Sequence, residues 1–163
     1  MSLTIERIRQ AQARIAPYTA RTPLLRLQNL DESLGCEVYA KAECMQITGA
    51  FKLRGAMNKM LSLTWDECSR GVVAASSGNH GRGLAYAAKM LGVRATIVMP
   101  DNAPAIKVEN IKSLGAEVVL CAPADRMAVA DEICKKHGAT LVSPFDDTLI
   151  MAGQGLVGIE LVE

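Results

Sequence analysis

The spacing of apolar residues changes along this chain, and the changes divide it. In TIERIRQAQARIAPY (4–18), Ile5, Ile8 and Ile15 fall with Gln12 on one side of a helical repeat. That predicts an amphipathic helix ending at Pro17. RTPLLRLQ (22–29) and CEVYAKAE (36–43) predict two short extended segments separated by the polar NLDESLG. From Phe51 to Leu63 the pattern is helical again.

Residues 71–145 are the most regular. GVVAA (71–75), RATIVMP (94–100), AEVVLCA (116–122) and ATLVSPF (139–145) are β-rich runs. The helical stretches between them end in Gly92, Gly115 and Gly138, the expected C-terminal stops. Strand starts recur every ~22–23 residues without shared sequence, which points to βαβ units rather than a solenoid. The predicted fold class is α/β: an open parallel sheet of about four strands with helices on both faces.

The two short N-terminal strands are marginal by themselves. The stretch MAGQGLVGIELVE (151–163) predicts a helix that starts after the GQG and has no closing Gly, Asn or Pro. Three regions are therefore expected. Residues 1–50 carry the helix and strands of an incomplete second, larger α/β domain. Residues 51–146 form a small parallel α/β domain. Residues 147–163 begin a helix returning to the larger domain.

Composition narrows the function classes. Half of the 163 residues are hydrophobic, 21% are charged, and the net charge is +1 with acids and bases interleaved. That is a globular balance with no basic footprint for nucleic acid or an anionic membrane surface. No apolar run approaches the ~18 residues of a membrane span, and the charged N-terminus lacks a signal-peptide core, so a cytoplasmic location is expected. Cysteines at 36, 44, 68, 121 and 134 are odd in number and lack CxxC spacing, which suits reduced thiols; Cys121 and Cys134 read as packing residues. His80 and His137 are isolated from other ligand types, so no metal site is expected.

Two stretches carry candidate chemistry. SSGNHG (76–81) follows a strand and precedes a helix, at the carboxyl edge where parallel sheets bind ligands. Free N–H groups at such a helix start can hold a carboxylate or phosphate, and Ser76, Ser77, Asn79 and His80 add polar side chains. A cap and turn would also use these residue types, but six in a row exceed what a cap needs. In TGAFKLRGA (48–56), Lys52 stands at a helix start among apolar neighbours. Burial and the helix dipole both disfavour its charged form. A lysine so placed is a candidate nucleophile toward carbonyls. Arg54 points elsewhere on the helix and is expected to pair with a carboxylate in the fold.

KAECMQITGAFKLRGAMNKMLSLT (41–64) and ASSGNHGRGLAYAAKMLG (75–92) closely resemble the threonine dehydratase and serine racemase family, of the tryptophan synthase β-like pyridoxal-phosphate enzymes. RTPLLRL, IVMP, SLGAEVV and SPFDD…AGQG match that family's pattern in the same order. FKLRG separates the chain from cysteine and threonine synthases, which usually carry aspartate where Leu53 stands. The resemblance implies that Lys52 holds pyridoxal 5′-phosphate as a Schiff base and moves the substrate α-proton. It implies that Phe51 packs on the cofactor ring and that Asn79 bonds its phenolic oxygen. Ser76, Ser77, Gly78, Asn79 and His80 would cradle the substrate carboxylate, with Ser77 a second acid/base in the racemases. The implied activity is L-threonine/L-serine dehydration, a β-elimination giving a 2-oxo acid and ammonia. The alternatives are serine racemase-like or hydroxyaspartate dehydratase activity, or a non-catalytic module that binds a carboxylate or a partner chain.

The sequence departs from the family at Ala50, Arg82 and Leu156, where serine, glutamine and threonine are common. Family members are roughly twice as long, and the part not matched normally holds the glycine-rich phosphate loop and any divalent-cation site. The expectation is thus an N-terminal half that binds the cofactor weakly, is inactive or nearly so by itself, and associates with a missing half or into a homo-oligomer.

Overall fold

The computed structural model describes residues 2–76 and 78–163. The first helix, α1 (Ile5–Ile15), is capped by Thr4, whose hydroxyl accepts from the Arg7 N–H, and it buries Ala11 and Ile15. Strands β1 (Leu24–Arg26) and β2 (Tyr39–Lys41) pair antiparallel. The polar segment between them is not a plain connection: Gln28–Leu34 forms helix α2, closed by Gly35 in the left-handed region. It buries no residue, so it lacks the apolar stripe by which helices are read from sequence.

Helix α3 (Lys52–Met60) is almost wholly interior, with Leu53, Arg54, Ala56, Met57, Asn58 and Met60 all buried. Helix α4 (Trp65–Arg70) begins in a Thr64–Glu67 capping box. The regular part follows as β3 (Val72–Ala75), α5 (Asn79–Leu91), β4 (Ala95–Pro100), α6 (Ala105–Lys112), β5 (Glu117–Cys121), α7 (Arg126–His137) and β6 (Thr140–Leu141). The last helix, α8, runs from Thr148 to Val162 with Asp147 accepting at its start from the Leu149 and Ile150 N–H groups. It passes straight through the GQG rather than starting after it.

The four strands form a parallel sheet in the order β5-β4-β3-β6. Alternate residues serve opposite faces, as the two-residue period of a strand requires. Val72, Ala74, Ala95, Ile97 and Met99 join the main core with Leu84, Ala88 and Ile111 of α5 and α6, whereas Val73 and Val98 pack with Ala130 of α7. Cys121 and Cys134 lie in this second cluster, as their apolar settings predict. Helices thus cover both faces.

Beyond α5 lie α3, α8 and α1. The α3–α8 crossing is close because both helices present glycine: a Cβ at Gly153 would stand 2.4 Å from the Arg54 carbonyl oxygen. Arg54, fully buried, is satisfied by Glu43 at 2.8 and 2.9 Å and by Glu160 at 2.8 and 2.9 Å. Lys41 adds a 2.5 Å contact to Glu160. This ion cluster ties the segment around residues 41–43 to α3 and to the end of α8, and it provides the carboxylates expected for Arg54. No described helix is long and apolar enough to cross a membrane.

Candidate active site

The strand order sets the location. After β3 the chain adds β4 and β5 on one side and then returns to place β6 on the other. Connections from β3 and β6 therefore diverge at their carboxyl ends, and a crevice opens at such a switch point. SSGNHG leaves β3 there, and residues 142–147 leave β6.

Lys52, the first residue of α3, reaches this crevice. Its Nζ donates to the Pro144 carbonyl at 2.8 Å and to Gln154 Oε1 at 3.3 Å, and it lies 5.2 Å from the Phe51 ring centroid. Burial lowers its pKa below the usual lysine value. Both hydrogen-bond partners are uncharged, so neither strongly stabilises the ammonium. Phe51 precedes α3 and keeps over a third of its surface exposed.

Helix α5 starts at Asn79, whose side chain is exposed. Ser76 uses its hydroxyl oxygen locally, accepting from the Gly81 N–H at 3.0 Å and the Gly78 N–H at 3.4 Å. Space above Gly78 is open: a Cβ there would meet nothing within 4 Å. His80 turns inward instead. It is buried, and its Nε2 bonds the Val142 carbonyl at 3.0 Å. Burial, and secondarily the charge of Lys52, lower its pKa, which keeps the ring neutral near pH 7. As a carbonyl only accepts, Nε2 carries the proton and Nδ1 is left as an acceptor with no partner among the described residues. Thr48 Oγ1 is likewise buried without a partner among the described residues. Ser77, the expected second acid/base, lies outside the described residues.

The structure sets Lys52 against Pro144 and His80 against Val142 in the β6–α8 connection, and Ser76 and Gly78 line a cavity with Val142 and Pro144, while Phe51 and Asn79 stand at the starts of α3 and α5. It adds Pro144, Val142 and Gln154, which sequence reasoning did not single out. Two of these act through backbone carbonyls, which every residue possesses. The third was visible only as part of the GQG string.

Fold and site define a class: an α/β protein that presents a half-buried lysine amine, with no carboxylate partner among the described residues, at the switch point of a parallel sheet. The profile of the pyridoxal-phosphate dependent enzyme family matches residues 15–163, and the chain belongs to that family. Serine racemase of Oryza sativa is 46% identical over 161 residues, which cover 98% of this chain and 48% of that protein. The catabolic L-threonine dehydratase of Staphylococcus aureus is 43% identical over 159 residues, covering 96% and 46%. The structure of maize serine racemase superposes with a TM-score of 0.95 at 42% identity, covering 99% of this chain and 50% of that one. The chain spans about half the length of the curated relatives it matches. The relatives include both an isomerase and a lyase.

The residues present fit the aldehyde and ring end of pyridoxal phosphate. The amine is available, an aromatic ring flanks it, the turn above Gly78 is open, and the buried His80 Nδ1 has no partner among the described residues. No glycine run suited to the phosphate occurs in the 163 residues.

Proposed function

We propose that this chain carries the lysine-bearing part of a pyridoxal-phosphate enzyme that dehydrates small hydroxy-amino acids, L-threonine or L-serine, to a 2-oxo acid and ammonia. The observation that carries this reading is the Lys52 amine, its pKa lowered by burial, held 2.8 Å from the Pro144 carbonyl at the sheet's switch point. When bound, the cofactor would supply an aldehyde for that amine and an electron sink for charge developing at the substrate Cα. Lys52 would hold the cofactor and move the α-proton. The first-turn N–H groups of α5, with Asn79 and the Ser76 hydroxyl, would bind the substrate carboxylate. Neutral His80, fixed by Val142, would keep the turn's inner side rigid and free of added charge. Ser77 is proposed as the second acid/base if the reaction is racemisation. The similarity to a plant serine racemase, as high as that to a threonine dehydratase, favours that second reading.

Residues 1–50 and 147–163 are read as parts of one larger domain and residues 51–146 as the small one. The contacts of Ile8 with Gly155, Arg21 with Glu163 and Lys41 with Glu160 support that division.

Incubation with pyridoxal 5′-phosphate followed by borohydride should place one reduced adduct on Lys52 by peptide mass spectrometry, and Lys52→Ala should lose it. Labelling spread over surface lysines, with Lys52 unmodified, would overturn the proposal. Assays of threonine and serine for 2-oxo acid, and of serine for inversion, separate lyase from racemase.

A further inference from the structure

Gln154 lies 102 residues from Lys52 in sequence and meets it directly. Its Nε2 donates to the Pro144 carbonyl at 3.3 Å, the same oxygen that accepts from Lys52 at 2.8 Å, while its Oε1 accepts from Lys52 at 3.3 Å. The amide orientation is dictated by chemistry. A carbonyl only accepts and an ammonium only donates, so nitrogen must face Pro144 and oxygen must face Lys52. Space for the amide is built into α3. Gly55 stands one turn below Lys52, and a Cβ there would fall 2.9 Å from Gln154 Nε2 and 3.0 Å from its Cγ. The bare glycine lets the side chain lie flat against the helix that carries the amine.

We propose that Gln154 is a positioning residue that holds the Lys52 amine at the crevice through an uncharged acceptor, fixing both its direction and its readiness to lose a proton. The proposal rests on reading Lys52 as the cofactor-bearing amine. An amide is chemically apt for this task. It orients Nζ with a hydrogen bond yet adds no negative charge, whereas a carboxylate at this distance would favour the ammonium and suppress the nucleophilic form.

The charged groups around the amine leave Gln154 in control. On α5, His80 is neutral and Arg82 is a cation whose guanidinium lies 3.7 Å from the position of a Cβ on Gly49. At the start of α8, Asp147 is engaged by Lys59 at 2.7 Å, and farther along the helix Glu160 is engaged by Arg54 and Lys41. In the β6–α8 connection Asp146 is exposed. On α3 itself, Arg54 is directed to Glu43 and Glu160.

The test compares wild type, Gln154→Glu and Gln154→Met in the full chain. The pH dependence of Lys52 acylation by acetic anhydride is followed by mass spectrometry of its peptide, and trapping with pyridoxal 5′-phosphate and borohydride is scored separately. Gln154→Glu is expected to raise the acylation midpoint by about one pH unit and to slow the reaction about tenfold at neutral pH. Gln154→Met, similar in size but with only a weakly accepting sulfur, is expected to lower the midpoint. Opposite shifts from two substitutions at one position are a signature that loss of packing does not produce. If both variants keep the wild-type midpoint, or both move it the same way, the role assigned to Gln154 is wrong while the proposed function stands. If wild type yields no Lys52 adduct with the cofactor at all, the proposed function falls and this role falls with it. Should Gln154→Glu fail to fold, the direction of the Gln154→Met shift alone decides.

Discussion

At the scale of the residue, what matters is which charges are missing. Lys52 is half-buried between two neutral oxygens, and His80, buried beside it, is held neutral. Burial alone lowers the pKa of Lys52, while that of His80 is lowered first by burial and then by the nearby Lys52 charge. The histidine makes stability depend on pH in a definite direction. Unfolded His80 takes up a proton near its ordinary value of 6.5, while the folded ring resists. The unfolded state therefore binds more protons as pH falls below that value, and stability falls with it. Asp147 and Glu160 have pKa values below the ordinary 3.8 and 4.5, so what they contribute is intact in that window and is lost only in stronger acid. Melting temperature should decline between neutral pH and pH ~5, and His80→Gln, which can still donate to Val142, should flatten that slope. An undiminished slope in the variant would assign the effect elsewhere. Lys52 and the SSGNHG turn stood out as candidates by residue type and motif, but that His80 turns inward to Val142 did not. Pro144 and Val142 did not, because a carbonyl leaves no mark in a sequence, and Gln154 did not, because a glutamine on a helix is ordinarily just a solvated side chain.

At the scale of the element, glycine position decides how closely α3 and α8 approach. The α8 glycines provide an internal comparison. A Cβ at Gly153 would overlap the α3 backbone at 2.4 Å, whereas one at Gly158 would meet nothing within 4 Å. Gly153→Ala should cost roughly 1–3 kcal/mol in urea unfolding, since backbone must move, and should loosen the Gln154–Lys52 contact. Gly158→Ala should instead stabilise by roughly 0.5–1 kcal/mol, by removing glycine's backbone entropy from a helix. Equal effects from the two would contradict this account of the crossing. The same glycines explain a misread boundary. In sequence, Gly153 and Gly155 look like breakers, which placed the helix start after them. In the structure, Asp147 starts the helix and the glycines serve contact with Arg54 and Ile8. Strands β3, β4 and β5 and the helix stops at Gly92 and Gly138 fell where apolar runs and punctuation put them, whereas α6 is capped at Ser113, two residues before Gly115. β6 is only two residues long, because most of the ATLVSPF run serves the connection that meets Lys52 and His80.

At the scale of the whole molecule, large apolar side chains are exposed on several elements. Leu24, Leu25 and Tyr39 of the β1–β2 pair are exposed, as are Met151, Leu161 and Val162 of α8. Apolar surface of this kind favours association. We predict that the purified chain self-associates in sedimentation equilibrium at micromolar concentration. Paired Leu25→Glu and Tyr39→Lys substitutions should shift it toward monomer while leaving the melting temperature near that of wild type. A wild-type monomer across that range would refute this.

The sequence by itself determined the class of fold and marked Lys52 and the SSGNHG turn as candidates, because periodicity, helix stops and side-chain type are local properties. Only the tertiary structure decided that the strands run β5-β4-β3-β6. That order opens the crevice at β3 and β6 and brings residues 144 and 154 onto an amine about a hundred positions earlier. Such contacts depend on how helices and strands pack across the chain, and a one-dimensional pattern does not record that.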